Sequence, residues 1–471
     1  MKRLRLLLIL VCCVLCLSAQ DFDLQSLQQR DLSGSARYVG MAGAMTAVGG
    51  DESAVADNPA SLGVMRHSGV YLTAGFQTDI TGRERRSRST IGLLPNVGLV
   101  LSLRDRTQER FSGVISNNLM IGYTMLKNYS RLQIYEGMST SMVNMVADIT
   151  TDNPYSKDII DSEAPFDDAN LGWLSVLFAK KGLITRNDDG SWQPTQTVSG
   201  YTQQQLNIEE WGANSLYSFS WAMNISNRWF VGLSANVVNV QYNKNTRYTE
   251  PLLDYQLMSS FRASGVGVQG NIGLIYHPVL PLRIGLSFAS PALMTMNINN
   301  FSDIYAADGR SSETSTPYNS YTLSRYTLPM RSTAGLAYQF GQRGLLSVEY
   351  DYVHQFERTI ADTHTFKVGG EWVIGSGMYL RAGYAYEREQ RREVKLVPGY
   401  SQTRTDTEFR YSMQQHYATA GFGFRGDFII VELAYRYRWS GAPVFTHFYQ
   451  TEPYMMRSQT HGAVLTIGWH G

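Results

Sequence analysis

Cysteine is almost absent from this chain, and its three cysteines, Cys12, Cys13 and Cys16, lie close to the N-terminus. Residues 1–19 combine a basic start with an unbroken apolar run and end in small residues, the pattern of a cleaved secretory signal peptide. We therefore expect the mature chain to have no thiol for a disulfide, a nucleophile or a metal site.

An excess of charge of either sign is also missing. The signal peptide contains three of the 41 basic residues and none of the 40 acidic ones, which leaves 38 against 40 and a net charge of −2. Proteins that bind nucleic acid carry a basic surface, so we expect no nucleic-acid partner.

Long apolar runs and catalytic motifs are absent as well. No stretch after residue 19 reaches the roughly 18 consecutive apolar residues that a transmembrane helix requires. The chain has no G-x-S-x-G, H-E-x-x-H or Walker motif, and no spacing of its histidines places two on one face of a short element. We expect no enzymatic activity, no metal and no cofactor, with the histidines at loop and interface positions.

Alternation of side chains is what the sequence does contain. In residues 330–352, apolar and aromatic side chains take every second position: Ala334, Leu336, Tyr338, Phe340, Leu346, Val348, Tyr350 and Tyr352. Period two predicts strands with two different faces. This hairpin alone fits either a soluble sandwich or an outer-membrane barrel whose apolar face meets lipid.

The connectors between strands favour the barrel. Fourteen strands are predicted, at 70–79, 90–103, 111–125, 213–225, 229–243, 263–276, 282–298, 328–340, 344–357, 365–374, 377–389, 414–425, 428–440 and 460–469. Short connectors at 104–110, 226–228, 277–281, 341–343, 375–376 and 426–427 alternate with 126–212, 244–262, 299–327, 358–364, 390–413 and 441–459, of which only 358–364 is brief. Short periplasmic turns and long outer loops produce this alternation. We predict an all-β, transmembrane antiparallel barrel of about 14 strands over residues 67–471, in a Gram-negative outer membrane.

The segment before the first strand has a different composition. Residues 34–62 are rich in glycine and alanine and show no strand alternation. Small residues permit close backbone packing, so we expect this segment to pack inside another structure.

A pattern of residues in this segment resembles the FadL/TodX family of outer-membrane transporters for hydrophobic compounds. The matching positions are Ala36, Gly40, Gly43, Ala44, Asp51, Ser53, Ala54, Asn58, Pro59, Ala60 and Leu62. Residues 282–298, 327–340 and 368–387 look like later strands of the same family. The chain departs from typical outer-membrane barrels at its end, where Trp469 is followed by His and Gly.

The resemblance implies specific roles for two groups of residues. Residues 20–66 would comprise a lead-in and a hatch that plugs the lumen, with the motif Asn58, Pro59 and Ala60 near the wall. A kinked third strand would leave a lateral opening in the wall. The candidate positions are Ser116, Asn117 and Asn118. The alternatives are that Asn58-Pro59 only initiates a turn, and that the two later asparagines are ordinary lumen or loop residues.

The connector 126–212 is too long for a plain loop. Residues 170–181 are predicted to form a short amphipathic helix. Its apolar and basic side chains are candidates for capturing a ligand: Trp173, Leu174, Leu177, Phe178 and Lys180. The alternative is that the apolar residues only pack the loop against its neighbours.

The resemblance thus implies passive uptake of hydrophobic molecules such as long-chain fatty acids, with capture in outer loops and lateral release through the wall. The expected partners are outer-membrane lipid, lipopolysaccharide and a hydrophobic small molecule, and the expected state is a monomer. Two alternatives stay open: an outer-membrane partner barrel in protein secretion, and a haemin receptor that would use a histidine or tyrosine.

Overall fold

The computed structural model describes residues 27–471 except 82–86, 105–112, 169, 199, 306–313, 357–359, 392–402, 404, 406, 411–413, 448–449 and 451. The predicted signal peptide, residues 1–19, and most of the predicted turn 104–110 lie outside the described residues. Among the described residues, no helix is long and apolar enough to cross a membrane.

Fourteen antiparallel strands form one closed barrel wall. The strands are β1 (Gly69–Thr81), β2 (Ser87–Arg104), β3 (Val114–Asn128, continued by Arg131–Thr140), β4 (Tyr201–Ile225), β5 (Trp229–Glu250), β6 (Tyr255–Val279), β7 (Leu282–Ala289, continued by Ala292–Tyr305), β8 (Asn319–Leu328, continued by Met330–Phe340), β9 (Gly344–His354), β10 (Ile360–Gly375), β11 (Met378–Arg391), β12 (Gln414–Arg425), β13 (Ile429–Phe445) and β14 (Tyr454–His470). Each strand pairs with its sequence neighbours, and β1 pairs with β14 from Gly69↔His470 to Thr81↔Ser458. The predicted all-β barrel of 14 strands is confirmed.

The outward face of the wall is apolar and the inward face is polar. Large apolar side chains are exposed around the outside, for example Leu72, Leu101, Leu233, Val268, Leu336, Val348, Leu380, Leu433 and Ile467. Charged residues that alternate with them are buried, including Glu349, Arg381 and Glu432. Backbone groups in lipid must find partners within the protein, and a closed barrel satisfies that condition. This arrangement is that of a transmembrane barrel, as the outer-membrane prediction requires.

The described wall strands are longer than the sequence analysis predicted, mainly at the end that carries the long connectors. β5 and β6 continue to a tip at residues 251–254, whereas a loop over 244–262 was predicted. Both ends of the predicted loop 299–327 likewise belong to strands, the first to β7 and the second to β8. These extensions were missed because their alternating faces are polar outside and buried inside, without the apolar contrast of the lipid-facing part.

Three wall strands, β3, β7 and β8, are interrupted. The break in β7 lies at residues 290–291 and the break in β8 at residue 329, and Pro291 and Pro329 cannot donate a ladder hydrogen bond. The break in β3 lies at residues 129–130. In each case the chain resumes the same wall strand after the break.

Residues 141–200 form a small packed unit above the outer end of the barrel. It contains three helices, α1 (Met142–Thr151), α2 (Ser156–Ile160) and α3 (Trp173–Lys180), and a hairpin that pairs Ile184–Arg186 with Trp192–Pro194. Its apolar side chains share one buried cluster with the projecting ends of β4, β5 and β6. The predicted 126–212 loop is thus partly wall strand and partly this unit.

Candidate transport pathway

The described N-terminal segment, residues 27–67, lies against the inward face of the wall. It contains a single helical turn at Ala36–Gly40 and a 3-10 turn at Pro59–Val64. Its polar groups bond to at least seven strands, through residues that include Thr466, Glu371, Thr419, Glu349, Arg283, Asn271 and Asn118. The segment is therefore tied to the wall on several sides of the lumen.

The Asn58, Pro59 and Ala60 motif begins the 3-10 turn and packs on β5 and β6. The Asn58 side chain accepts a hydrogen bond from Ala60 N (3.0 Å) and donates one to Thr46 O (2.9 Å). A Cβ at Gly232 would collide with backbone atoms of Pro59 and Ala60, and a Cβ at Gly273 would collide with the Asn58 amide. Glycine inside these two strands thus permits the close approach of the motif.

A chain of charged groups fixes the other side of the segment. Arg37 forms an ion pair with Glu371 (2.9 Å), which also binds Arg381 (2.6 Å). Arg381 in turn binds Glu432 (2.9 Å), and Glu432 binds Arg425 (3.0 Å). Because every charge has an opposite partner, the network stays in the lumen without an isolated buried charge.

The structure contradicts the prediction that the third strand is broken at Asn117 and Asn118. Asn117 and Asn118 are ladder-paired on both sides, with Leu103 and Ser102 of β2 and with Met223 and Ala222 of β4. The only irregularity nearby is a register shift between Val114 and Ser116. The prediction that Ser116, Asn117 and Asn118 break the third strand is wrong.

Asn118 instead holds the N-terminal segment. Its fully buried amide donates to the carbonyl oxygens of Leu62 (2.7 Å) and Met65 (2.7 Å) and accepts from Ser102 Oγ (2.9 Å). A polar side chain inside a strand therefore marked a contact with the lumen contents, and its polarity is satisfied there.

Farther along β2 and β3, these two strands are not paired with each other in a ladder. The pairing of β2 with β3 covers Asn96↔Thr124 to Arg104↔Ser116 and does not continue into residues 88–95 of β2, all of which are described. Beyond this stretch the strands are in contact again, because Thr81 of β1 and Ser87 of β2 both donate to Leu132 O of β3. We call residues 88–95 and 125–131 with the space between them the wall gap.

The sequence around Pro95 explains why the ladder ends there. Pro95 has no N–H to donate, and the β1–β2 register shifts between Thr73/Gly75 opposite it. Beyond the shift, Leu93 lies opposite Gly75 and Ile91 opposite Gln77, so both apolar side chains share the lumen side with Gln77. Pro95 inside an apolar strand was the available sequence signal for this gap.

An apolar surface inside the barrel reaches the other edge of the gap. This inner apolar patch comprises Leu126, Tyr129, Leu216, Val238, Val240, Tyr242, Phe261, Ala263, Ala292, Met294, Met296, Ile298, Tyr326 and Leu328, with Leu27 and Ala56 packed on it. Met294 and Met296 are flexible side chains that adapt to different neighbours. The patch runs across β4 to β8 and ends at Leu126 and Tyr129 in β3.

The space directly behind residues 127–131 is polar. Its lining includes Asp79, Lys127, Arg131, Glu210 and Arg438. The cavity offers about 60 Å³ to water, which is room for only a few molecules. Arg131 pairs with Glu210, so the charges here are matched. The apolar patch and this polar cavity thus lie side by side at the gap.

The predicted capture helix exists over Trp173–Lys180, within the predicted 170–181. Trp173, Leu177 and Phe178 are buried in the outer unit, and Leu174 is half-buried. Lys180 is exposed, and its Nζ lies 5.5 Å from the centre of the Phe166 ring. The structure therefore places the apolar capture residues in the packing of the unit and leaves Lys180 at its surface.

A buried carboxylate joins the outer unit to the wall. Glu250, at the tip of β5, accepts hydrogen bonds from Ser141 Oγ (2.6 Å), Met142 N (2.8 Å), Tyr248 Oη (2.6 Å) and Tyr255 Oη (3.0 Å). The tip lies beyond the apolar band of the wall. Burial raises the pKa of the Glu250 carboxyl above its usual range.

These features define a transmembrane barrel with a packed lumen and a local gap in its wall. Among solved structures, the chain is similar to the "CymD monoaromatic hydrocarbon channel" (TM-score 0.53, 12% identity, covering 93% of this chain and 98% of that one). It is also similar to a Pseudomonas aeruginosa FadL homologue (TM-score 0.55, 10% identity, 94% and 99%) and to the P. putida toluene transporter TodX (TM-score 0.52, 13% identity, 93% and 99%).

The chain has the fold of the FadL/TodX-type transporters over nearly its whole length. No protein-family model matches the sequence, and no curated protein matches it either. The resemblance stated from the sequence is therefore confirmed in the fold.

Proposed function

We propose that this protein is a passive outer-membrane transporter of hydrophobic small molecules, and that its substrate leaves the lumen sideways through the wall gap. The observation that carries the proposal is the meeting of the inner apolar patch with the unpaired part of the wall. Leu126 and Tyr129 belong to both, and Ile91 and Leu93 lie on the lumen side of β2 at the same gap.

A sideways route has a physical advantage for such a substrate. An apolar molecule gains roughly 25 cal/mol for every Å² of its surface that stays out of water. Passage into the membrane through the gap keeps that surface covered, whereas passage along the barrel axis leads into the periplasm. The axial route also requires the N-terminal segment to leave its partners on at least seven strands. We propose that this segment acts as a hatch that remains seated, with Asn58, Pro59 and Ala60 against β5 and β6.

The proposed substrate class is apolar or weakly amphipathic, with long-chain fatty acids as the default and monoaromatic hydrocarbons as the class named for similar structures. The outer unit is proposed to admit the substrate, and exposed Lys180 is the candidate contact for a carboxylate. Because Leu177 and Phe178 are fully buried, capture by them requires the unit to loosen.

Because no cysteine follows residue 16, a thiol reagent would label only a cysteine introduced by mutation. Leu93→Cys places a thiol on the lumen side of the gap, and Leu101→Cys places one on the lipid side of the paired part of β2. Both variants would be reacted with a bulky maleimide in proteoliposomes, and uptake of radiolabelled toluene and oleate would be measured separately. We expect the label at position 93 to reduce uptake at least tenfold and the label at position 101 to leave it unchanged. Equal uptake through both labelled variants would refute the lateral route, and no uptake of either probe by the unlabelled protein would refute transport.

A further inference from the structure

Three tyrosine–histidine pairs recur on the outward face of the barrel, and they are independent of the transport pathway. In each pair the tyrosine Oη lies within hydrogen-bond distance of histidine Nδ1: Tyr350–His364 at 2.7 Å, Tyr384–His416 at 2.8 Å and Tyr435–His461 at 2.6 Å. The sequence spacing of the histidines does not show this repeat, because the members of a pair come from different strands.

The three pairs share one geometry. They lie on the hairpins β9–β10, β11–β12 and β13–β14, and in each a second tyrosine two residues further on stands directly opposite the histidine: Tyr352↔His364, Tyr386↔His416 and Tyr437↔His461. Aromatic stacking extends the row, since the His416 and Trp439 rings lie 5.0 Å apart and nearly parallel. Repetition on three successive hairpins distinguishes this row from scattered surface residues.

The row lies at the outer edge of the apolar band. On β9, exposed Leu346 and Val348 precede the first tyrosine, and the strand then ends at His354 towards the outer loops. Aromatic side chains at this position of a transmembrane barrel lie at the level of the lipid headgroups. The pairs therefore face the polar part of the outer leaflet.

The tyrosine hydroxyl determines what each imidazole offers to that layer. When O–H donates to Nδ1, the ring hydrogen is on Nε2, and that N–H is available to a partner outside the protein. Exposed Arg388 lies opposite His364 in the ladder and adds positive charge to the row. The acidic group beside the row, Asp362, is bound by Tyr352 and His354.

We propose that these three pairs bind the phosphate group of an outer-leaflet lipid. Phosphate accepts several hydrogen bonds and favours cationic or N–H donors. Outward N–H groups at headgroup depth, with an arginine beside them, supply that chemistry. Binding at this row would hold lipid against β9 to β14.

The test uses the full-length protein in dodecyl maltoside micelles, which contain no phosphate, with added lipid A, and native mass spectrometry to count retained lipid A. The triple variant His364→Phe, His416→Phe and His461→Phe keeps an aromatic ring at each position, and His67→Phe at the opposite end of the barrel is the matched control. We expect the triple variant to retain at least tenfold less lipid A than wild type, and the control to retain as much as wild type. Equal retention by all three proteins would overturn the proposal.

Two further arms separate the sources of binding. Dephosphorylated lipid A should be retained no better by wild type than by the triple variant, since the phosphate is the proposed ligand. Inorganic phosphate at the same concentration should not displace lipid A, and displacement would mean that the row binds the free ion rather than a lipid. Heat-modified gel migration identifies any variant that fails to fold.

Nitrogen-15 NMR of the imidazoles provides a readout that does not depend on lipid counting. We expect His364, His416 and His461 to carry their hydrogen on Nε2 in wild type. A dominant Nδ1–H form would overturn the geometry on which the proposal depends. The variant Tyr350→Phe, Tyr384→Phe and Tyr435→Phe should lose the preference and weaken lipid A retention.

Discussion

Replacement of Asn118 by alanine tests the role that the structure assigns to this residue. The side chain donates to Leu62 O and Met65 O and accepts from Ser102 Oγ, and it is fully buried. Asn118→Ala removes all three hydrogen bonds at the point where the N-terminal segment enters β1. The change should loosen residues 59–67 without opening the wall, because the backbone pairing of β3 is unaffected.

The magnitude follows from the number of bonds. Each hydrogen bond of this kind contributes roughly 0.5–1.5 kcal/mol net, so the two bonds to Leu62 O and Met65 O amount to about 1–3 kcal/mol. A factor of ten corresponds to about 1.4 kcal/mol. Local opening of residues 59–67 should therefore become about 5-fold to 150-fold more frequent.

Hydrogen exchange measured by mass spectrometry reports this opening directly. Asn117→Ala is the matched control, because Asn117 is the neighbouring strand residue and is half-buried with no side-chain hydrogen bond among the described residues. We expect faster exchange in 59–67 for Asn118→Ala only, with uptake retained in both variants. If instead both substitutions alter uptake equally and leave exchange in 59–67 unchanged, the reassignment of Asn118 from opening to anchor is wrong.

Three other changes test the remaining contacts. Gly232→Val should destabilise the barrel by about 1–3 kcal/mol through overpacking against Pro59 and Ala60. The loss of stability would be measured as a lower temperature of heat-modified migration. Gly270→Val is the control and should leave that temperature unchanged, because the nearest atom to a new Cβ there is 4.0 Å away. Pro95→Val restores an N–H donor to β2, and slower amide exchange at 90–95 with reduced uptake is expected; unchanged exchange would show that the proline does not keep the ladder open. Because burial raises the pKa of Glu250, the outer unit should be held most firmly below the usual carboxyl pKa and should loosen as pH rises through the raised value. Glu250→Gln should abolish that pH dependence of exchange in 141–151, and a wild-type unit that loosens as pH falls would contradict the sign.

The barrel itself could be predicted from the sequence because its signal is repeated in every strand. Alternation such as that of residues 330–352 recurs fourteen times, and short turns alternate with long connectors. The polar extension of β5 to Glu250 was missed, since a strand beyond the membrane has no apolar face to reveal it. Residues 34–62 were expected to pack inside another structure because they are rich in glycine and alanine, and their polar groups bond to wall strands.

The pathway was harder to predict because it depends on contacts between distant parts of the chain. Asn117 and Asn118 looked like a break in a strand, but the partners of Asn118, at Leu62 and Met65, are more than fifty residues away. The inner apolar patch joins residues from five neighbouring strands and from β3, so no local pattern identifies it. Pro95 was visible in the sequence, and its effect follows from the same physics that was applied to Pro291.

The central claim is that an apolar substrate passes through the wall gap. The most direct measurement is photo-crosslinking of a diazirine-bearing fatty acid to the protein during uptake into proteoliposomes, with the adducts located by mass spectrometry. The account predicts adducts on Leu126 and Tyr129 of the inner apolar patch and on Ile91 and Leu93 at the edge of the gap. Adducts confined to the N-terminal segment and the periplasmic end of the lumen would contradict it, because they would show that the substrate moves along the barrel axis.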